Sequence, residues 1–315
     1  MINNKIVIIT LNYNQNRYTL NCINSILKSS YDDFQIILVD NGSTNMNYHE
    51  LENLLPKDSR ILLRRIDQNR GYVGGINFGL NEGSKLNPDF YVIMNNDTLI
   101  DSNAIEELIS TAEKYQQKAI VAGKVYHLDD PNIIQQTGTL FTDLRYLKGY
   151  SPGKNEKDIG QCEEESERDS LDDILWVLPK EIFHELGYYC DYYFMYAEQG
   201  DYAQHARRKG YKLIYTPKVK IWHKGSATSG KGDRRALPIC YWQAKSSFIF
   251  TYRNLKFKYF MIRNFILFFK MIAKMIVFKG EEKKRTISSF RGYLAGIKWI
   301  INKKADTGYN PYINK

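Results

Sequence analysis

The first 125 residues alternate short apolar runs with segments of helical periodicity, and no other feature restricts the fold as much. The runs lie at residues 5–11, 35–40, 61–66, 90–95 and 119–126. Between the first two, Leu20, Ile23, Ile26 and Leu27 recur at helical spacing, as do Ala104, Ile105, Leu108 and Ile109 between the last two. Strands that alternate with helices predict βαβ units and a largely parallel sheet with helices on both faces. A ligand of such a sheet sits beyond the carboxyl ends of the strands, so polar residues there are the first candidates for chemistry.

Three of these strand ends are polar at once. The first gives Thr10-Leu11-Asn12-Tyr13, the second Asp40-Asn41-Gly42-Ser43 and the fourth Asn95-Asn96-Asp97-Thr98. Asn, Asp, Gly and Ser are also ordinary turn formers, but three such junctions in one sheet favour a site. After the third strand comes Asn69-Arg70-Gly71-Tyr72-Val73-Gly74-Gly75-Ile76-Asn77-Phe78-Gly79. Its glycines allow close backbone approach, and the helix it opens offers an N-terminus to an anion. Its spacing and position are not those of the dinucleotide fingerprint. It also lacks the Gly-Lys-Ser/Thr ending of a P-loop, so a dehydrogenase and an ATPase are both disfavoured.

Asp97 is an acid at a strand end, where a hard cation can bridge a carboxylate to a diphosphate. His223 also ends an apolar strand and is a candidate second ligand. Further candidates are Glu198 and Asp201, which follow the aromatic run 193–196 at a predicted helix start, where acids are also common for electrostatic reasons alone. Residues 151–170 are polar and aperiodic and read as a flexible loop. Residues 173–178 are a strand candidate, Pro179 is placed to open a helix, and strands at 212–215 and 218–223 are separated by Pro217.

The four cysteines are scattered, as in a reducing compartment. The opening apolar run is too short for a signal core, so a cytoplasmic location is expected. The net charge of +9 is unevenly spread. From Cys240 onward there are 16 Lys+Arg against 3 Asp+Glu, or +13, which leaves −4 for the preceding residues. Residues 240–315 therefore read as a basic amphipathic helical tail following a domain at 1–239. The tail is rich in Phe, Ile and Met, which favours an anionic membrane surface over nucleic acid, with a helix pair packed on the catalytic domain as the equal alternative. In a helix, Lys256, Arg263, Lys270 and Lys274 form a basic stripe beside Phe257, Phe260, Met261, Phe268 and Met271. No stretch approaches the ~20 apolar residues of a spanning helix.

In their order, these motifs resemble glycosyltransferase family 2, in particular its bacterial rhamnosyltransferase-like branch. The resemblance covers about 230 residues. It comprises Thr10–Tyr13, Val39–Ser43, Asn69–Gly79, Asn95–Asp97, the helix 179–187, Phe194 with Glu198 and Asp201, and the loop that begins at His223. It implies a GT-A α/β sandwich with a mostly parallel central sheet, divided into a nucleotide-sugar half (1–126) and an acceptor and base half (171–230). The implied activity is inverting transfer of a hexosyl or deoxyhexosyl group to a glycan or lipid-linked acceptor in cell-surface polysaccharide synthesis. The donor would be a uridine or thymidine diphosphate sugar, and the implied location is the inner face of the cell membrane, peripherally bound.

By the same resemblance, Thr10, Asn12 and Asp40 hold the nucleoside, and Asn69, Arg70 and Gly71 border the base and diphosphate. Asn95 lines the nucleotide-sugar site, and Asn96 faces the ribose or donor sugar. Asp97 and His223 bind Mn²⁺ or Mg²⁺, and Trp176 and Tyr196 form the acceptor platform. Two positions depart from the family pattern. Asn95 replaces the first acid of Asp-x-Asp, and Gln199, which cannot accept a proton, occupies the usual base position. The base then falls to Glu198, with Asp201 as the other candidate. A catalytically silent glycan- or nucleotide-binding scaffold and a sugar-nucleotide nucleotidyltransferase are the competing readings, although the latter's lysine-bearing glycine loop after the first strand is missing.

Overall fold

The structure is a computed structural model that describes residues 4–225 and 236–313; Ser226, which closes the loop begun by His223, lies outside the described residues. The chain forms two compact units. The first is drawn from Met1–Leu140, Tyr150–Tyr189 and Tyr202–Gly225, the second from Phe141–Gly149, Cys190–Asp201 and Ser226–Lys315.

Strands and helices alternate in the first part of the chain: β1 (Ile6–Asn12), α1 (Asn16–Ile26), β2 (Phe34–Asn41), α2 (Asn45–Leu54), β3 (Ile61–Ile66), α3 (Gly71–Ser84) and β4 (Phe90–Met94). There follow β5 (Thr98–Ile100), α4 (Ala104–Lys114), β6 (Ala119–His127), β7 (Asp130–Gln136) and a small hairpin of β8 (Leu140–Asp143) with β9 (Lys148–Tyr150). Next come β10 (Ser166–Glu167), β11 (Leu175–Pro179), α5 (Lys180–Leu186), α6 (Glu198–Arg208) and β12 (Lys212–His223). The chain ends with three helices, α7 (Leu237–Asn254), α8 (Phe257–Val277) and α9 (Gly280–Asn302).

The large sheet has the order β10-β12-β6-β11-β4-β1-β2-β3, with β5 on β12 and β7 on β6. β3, β2, β1 and β4 are mutually parallel, and β12 is parallel to β6. β11 runs against both β4 and β6. The mostly parallel GT-A type sheet expected from the sequence is therefore present, with one reversed strand in its middle. β1, β2 and β4 are apolar almost throughout because they lie inside the sheet, where helices cover both faces.

Helix α1 turns Cys22, Ile23 and Ile26 into this core, at the spacing of one helical face. Helix α3 lies against β1 for a different reason. A Cβ on Gly79 would come within 2.4 Å of Ile9 Cγ2, and one on Gly83 within 2.7 Å of Val7 Cγ1. These glycines serve contact between helix and sheet, and only those at the helix start face the strand ends. The two strands expected around Pro217 are one strand, β12, whose register slips between Thr216 and Lys220, since proline has no N–H for the ladder. Pro179 is the cap of α5 and stands just before its first residue.

Residues 151–170 run beside β7. Asn155 N–H donates to Ile134 O (2.7 Å), Ile134 N–H to Glu156 O (2.9 Å), and buried Lys124 pairs with Asp158 and Glu163. In the second unit α7 and α9 pack closely; a Cβ on Gly292 would stand 2.1 Å from Tyr241 O. Phe248, Leu255, Phe260, Met271 and Tyr293 form its core. The tail helices begin at Leu237, three residues before the expected tail, and residues 141–149 and 190–201 cluster with them.

Candidate active site

The carboxyl ends of β1 to β4 gather the polar residues picked out in the sequence. Asn12 and Asp40 are fully buried, and Asn12 Nδ2 donates to Asp40 Oδ2 at 2.9 Å. Asn12 Oδ1 accepts from the Thr19 hydroxyl (2.8 Å), and Asp40 Oδ1 accepts from Ser43 N–H (3.1 Å). Thr10 is equally buried, with its hydroxyl beside the Cys22 thiol. Asn12 and Asp40 thus brace each other at the ends of β1 and β2. The exposed aromatic at this edge is Tyr13, the residue directly after β1. Its neighbour Asn14 is held by Ser43, which accepts Asn14 N–H at 2.9 Å. The sequence signal for Tyr13 is the junction motif Thr10-Leu11-Asn12-Tyr13 itself.

The loop after β3 is shaped by Asn41. Asn41 Oδ1 accepts Arg70 N–H (3.1 Å) while its Nδ2 donates to Gly71 O (2.9 Å). Asn69 Oδ1 accepts Gly71 N–H at 2.8 Å. Gly71 has φ +73°, a conformation that costs glycine little, and it starts α3. Asn69 and Arg70 are left exposed at a helix N-terminus, a setting that suits a diphosphate.

After β4, Asn96 Nδ2 donates to Thr19 Oγ1 (2.8 Å), which ties this turn to α1. Asn95 N–H is used by Ile174 O at 3.0 Å. Asp97 faces His223, with Oδ1 3.1 Å from Nε2. The antiparallel pairing of β5 with β12 brings them together by setting His223 opposite Thr98. Gln135 in β7 receives the other ring nitrogen, with Oε1 2.6 Å from Nδ1. A cleft of about 290 Å³ opens beside Asp97, lined among others by Arg17, Tyr18, Asn21, Asp129 and Lys224.

A carboxylate oxygen and an imidazole nitrogen are a donor pair that Mn²⁺ or Mg²⁺ accepts, with the remaining positions open to phosphate oxygens and water. The pair therefore fits the expected metal. Among the described residues no third His, Cys, Asp or Glu joins it. The Cys22 thiol next to it is pushed up to about 12 by burial, with the Asp97 charge adding to the shift, so it stays a protonated core group.

Sequence reasoning missed Asp173. It is buried just before β11 and accepts the hydroxyls of Tyr72 and Tyr189, each at 2.8 Å. Burial pushes its carboxyl up to about 6 in spite of those bonds. Asn77, from the glycine motif, clamps the backbone of Tyr189 through both N–H and C=O (3.0 and 2.8 Å). Trp176, expected in an acceptor platform, is fully buried in β11 and stacks on Tyr189 with ring centres 6.3 Å apart. It supports the sheet and offers no open face to a sugar.

In the second unit, Asp201 is committed to α7. Its carboxylate accepts from Arg253 Nε (3.0 Å) and Nη2 (3.0 Å) and from Asn254 Nδ2 (2.7 Å). This bidentate pair, in which the Asp201 carboxylate is nearly buried, makes Asp201 an anchor and speaks against it as the alternative base. Glu198 is the first residue of α6 and is nearly buried. The two residues before it, Tyr196 and Ala197, have φ +70° and +67°, which side-chain-bearing residues rarely adopt in succession. Tyr196 packs partly on the cluster of Phe194, Tyr241 and Trp242.

The model of the family described as glycosyl transferase family 2 matches residues 6–166, just over half of the chain and the part that holds β1 to β4 and Asp97. The chain belongs to glycosyl transferase family 2. GlyG, a glycosyltransferase of Streptococcus pneumoniae serotype 4, is 27% identical over 118 residues, 38% of each chain. Agl10, a low-salt glycan biosynthesis hexosyltransferase of Haloferax volcanii, is 26% identical over 187 residues, 57% of this chain and 55% of its own. The matches thus span 38% and 55% of these two relatives' lengths. A crystal structure of GalNAc-T7 with UDP, GalNAc and Mn²⁺ superposes with a TM-score of 0.59 at 14% identity, covering 95% of this chain and 58% of that one. That likeness is one of fold.

Proposed function

We propose that this family 2 chain transfers a hexosyl or deoxyhexosyl group, with inversion, from a uridine or thymidine diphosphate sugar to a hydroxyl of a glycan or lipid-linked glycan. The observation that carries this reading is the facing pair of Asp97 and His223 at the strand ends. Such a pair is what a site expelling a diphosphate requires.

On this reading Tyr13 stacks on the nucleobase, Asn69 and Arg70 border the diphosphate, and Arg17 adds positive potential to the cleft, where Lys224 is already paired with Asp129. Asn96 faces the ribose or sugar. Asp97 and His223 hold Mn²⁺ or Mg²⁺, which supplies Lewis-acid neutralisation of the leaving diphosphate when bound. Glu198 is proposed as the base that takes the acceptor hydroxyl's proton, by its place in the motif next to Gln199. The strained turn at Tyr196 and Ala197 supports it, because such conformations cluster where geometry serves function. The GalNAc-T7 complex with UDP and Mn²⁺ supports the donor class and the metal. The relation to Agl10 supports a glycan-building role. The reading includes work at the inner membrane face on cell-surface polysaccharide; no described helix is long and apolar enough to cross a membrane.

The test is release of nucleoside diphosphate from a panel of uridine and thymidine diphosphate sugars, with Mn²⁺, with and without saccharide acceptors. Acceptor-dependent release that chelator abolishes is the expected result. Asn95 and Gln199 specifically favour a second reading, a silent binding scaffold. Donor binding without turnover across the panel would select it.

A further inference from the structure

Helix α8 is apolar around most of its circumference, yet only one side of it is covered. Phe260 and Met271 are buried, and Leu267 and Phe268 pack on the core of Phe248, Leu255 and Tyr293. On the opposite side Met261, Ile262, Phe265, Ile266, Phe269 and Ile276 stand exposed, Phe265 at 66% and Ile276 at 76%. Their spacing of three, four and seven residues puts them on one continuous face. A helix that is apolar on every side is ordinarily enclosed, so this face calls for an occupant.

The charges around the face identify it. Between Leu255 and Gly280 the chain carries Lys256, Lys258, Arg263, Lys270, Lys274 and Lys279 and no acid. Arg263 turns inward and donates to Ser247 (3.1 Å) and Thr251 (3.4 Å). The five lysines are exposed, Lys270 and Lys274 along one flank and the others near the two ends. A second copy of this chain seated on the face would bring these unneutralised lysines against their own kind. An anionic lipid surface takes both the apolar face and the cations.

We propose that α8 lies in the plane of an anionic lipid monolayer, with Phe265, Ile266 and Phe269 at the acyl boundary and Lys270 and Lys274 at the phosphates. The faces exchange the roles expected from sequence: Phe260, Phe268 and Met271 hold the helix to its unit, and Arg263 leaves the basic stripe. The proposal rests on the membrane-surface reading above for its biological setting, but its test is independent of any sugar transfer.

The full chain is floated with vesicles of equimolar phosphatidylglycerol and phosphatidylcholine and with vesicles of phosphatidylcholine alone. Phe265→Ser/Phe269→Ser and Lys270→Gln/Lys274→Gln are compared with it. All four side chains are exposed, so melting temperatures should stay near wild type and certify the fold. The wild type should favour the anionic vesicles by about tenfold or more. The phenylalanine pair should lose about tenfold on both vesicle types, and the lysine pair should lose mainly the anionic preference. A folded wild type that does not float, or a phenylalanine pair that floats equally well, overturns the proposal. So does a wild-type dimer in sedimentation that becomes monomeric in the phenylalanine pair, because the face would then belong to a second copy. Binding of uridine diphosphate with Mn²⁺ is measured on the same samples without vesicles. Its absence alongside normal flotation would sink the enzyme reading and leave this proposal supported.

Discussion

Gln135 holds His223 by a 2.6 Å contact to Nδ1, and this leaves Nε2 pointing at Asp97 from 3.1 Å. With Oε1 as acceptor, the ring proton sits on Nδ1 and the lone pair on Nε2, the form a metal ligand needs. Gln135→Leu should weaken Mn²⁺ affinity by about tenfold or more, the usual effect of losing an outer partner of a ligand. Titration calorimetry with Mn²⁺ and uridine diphosphate would check it. Unchanged affinity would reduce Gln135 to a packing role.

Asp97 tests the site directly. Asp97→Ala should abolish acceptor-dependent nucleotide release and the Mn²⁺-dependent part of donor binding, with little change in melting temperature. Full wild-type turnover in excess chelator would remove the metal from the mechanism.

Glu198 and Asp201 should separate cleanly. Glu198→Gln should lower turnover by about a hundredfold or more with donor affinity nearly unchanged, the low end for a lost general base. Arg253→Met strands the Asp201 charge, which lies in a nearly buried site. It should therefore act on folding and cost on the order of 3 kcal/mol in denaturant unfolding. Were Arg253→Met to leave stability intact and Glu198→Gln to leave turnover intact, the anchor and base assignments would both fail.

Asp173 gives a pH dependence with a definite sign. Its folded value of about 6 lies above the ordinary carboxylate value of 3.8, so the folded state binds the proton more tightly. Its contribution to stability is fullest below about pH 4 and is lost as the pH rises through about 6. The loss is on the order of 3 kcal/mol. Asp173→Asn keeps a partner for Tyr72 and Tyr189 without an ionisable proton. It should flatten this part of the stability profile, measured by urea unfolding between pH 4 and 7. A slope equal to that of wild type would show that Asp173 titrates normally.

Gly79→Ala should destabilise by about 1–3 kcal/mol, since its Cβ would meet Ile9 in the interior of the sheet unit. Thermal unfolding would register it. A neutral result would mean that α3 can lift away from β1 without loss.

The sequence alone determined the parallel strands, the polar strand ends and the family, because each is written in short stretches of chain. An apolar run broken by Asn, Asp or Gly carries its own meaning, and the junctions at Asn12, Asp40 and Asp97 needed no distant partner to be seen. Tertiary structure decided what depends on residues far apart in the chain. Tyr72 meets Asp173 across 101 residues, Asn77 meets Tyr189 across 112, and Gln135 meets His223 across 88. Gly75 and Gly79 read in the sequence as ligand approach because the side chains they abut, Leu11 and Ile9, belong to another element. Asp201 is a candidate base in the sequence until α7 supplies Arg253, and α8 shows which of its two apolar faces is free only once α7 and α9 have covered the other. A side chain's chemistry is local, but its burial and its partners are set by the packing of the whole chain.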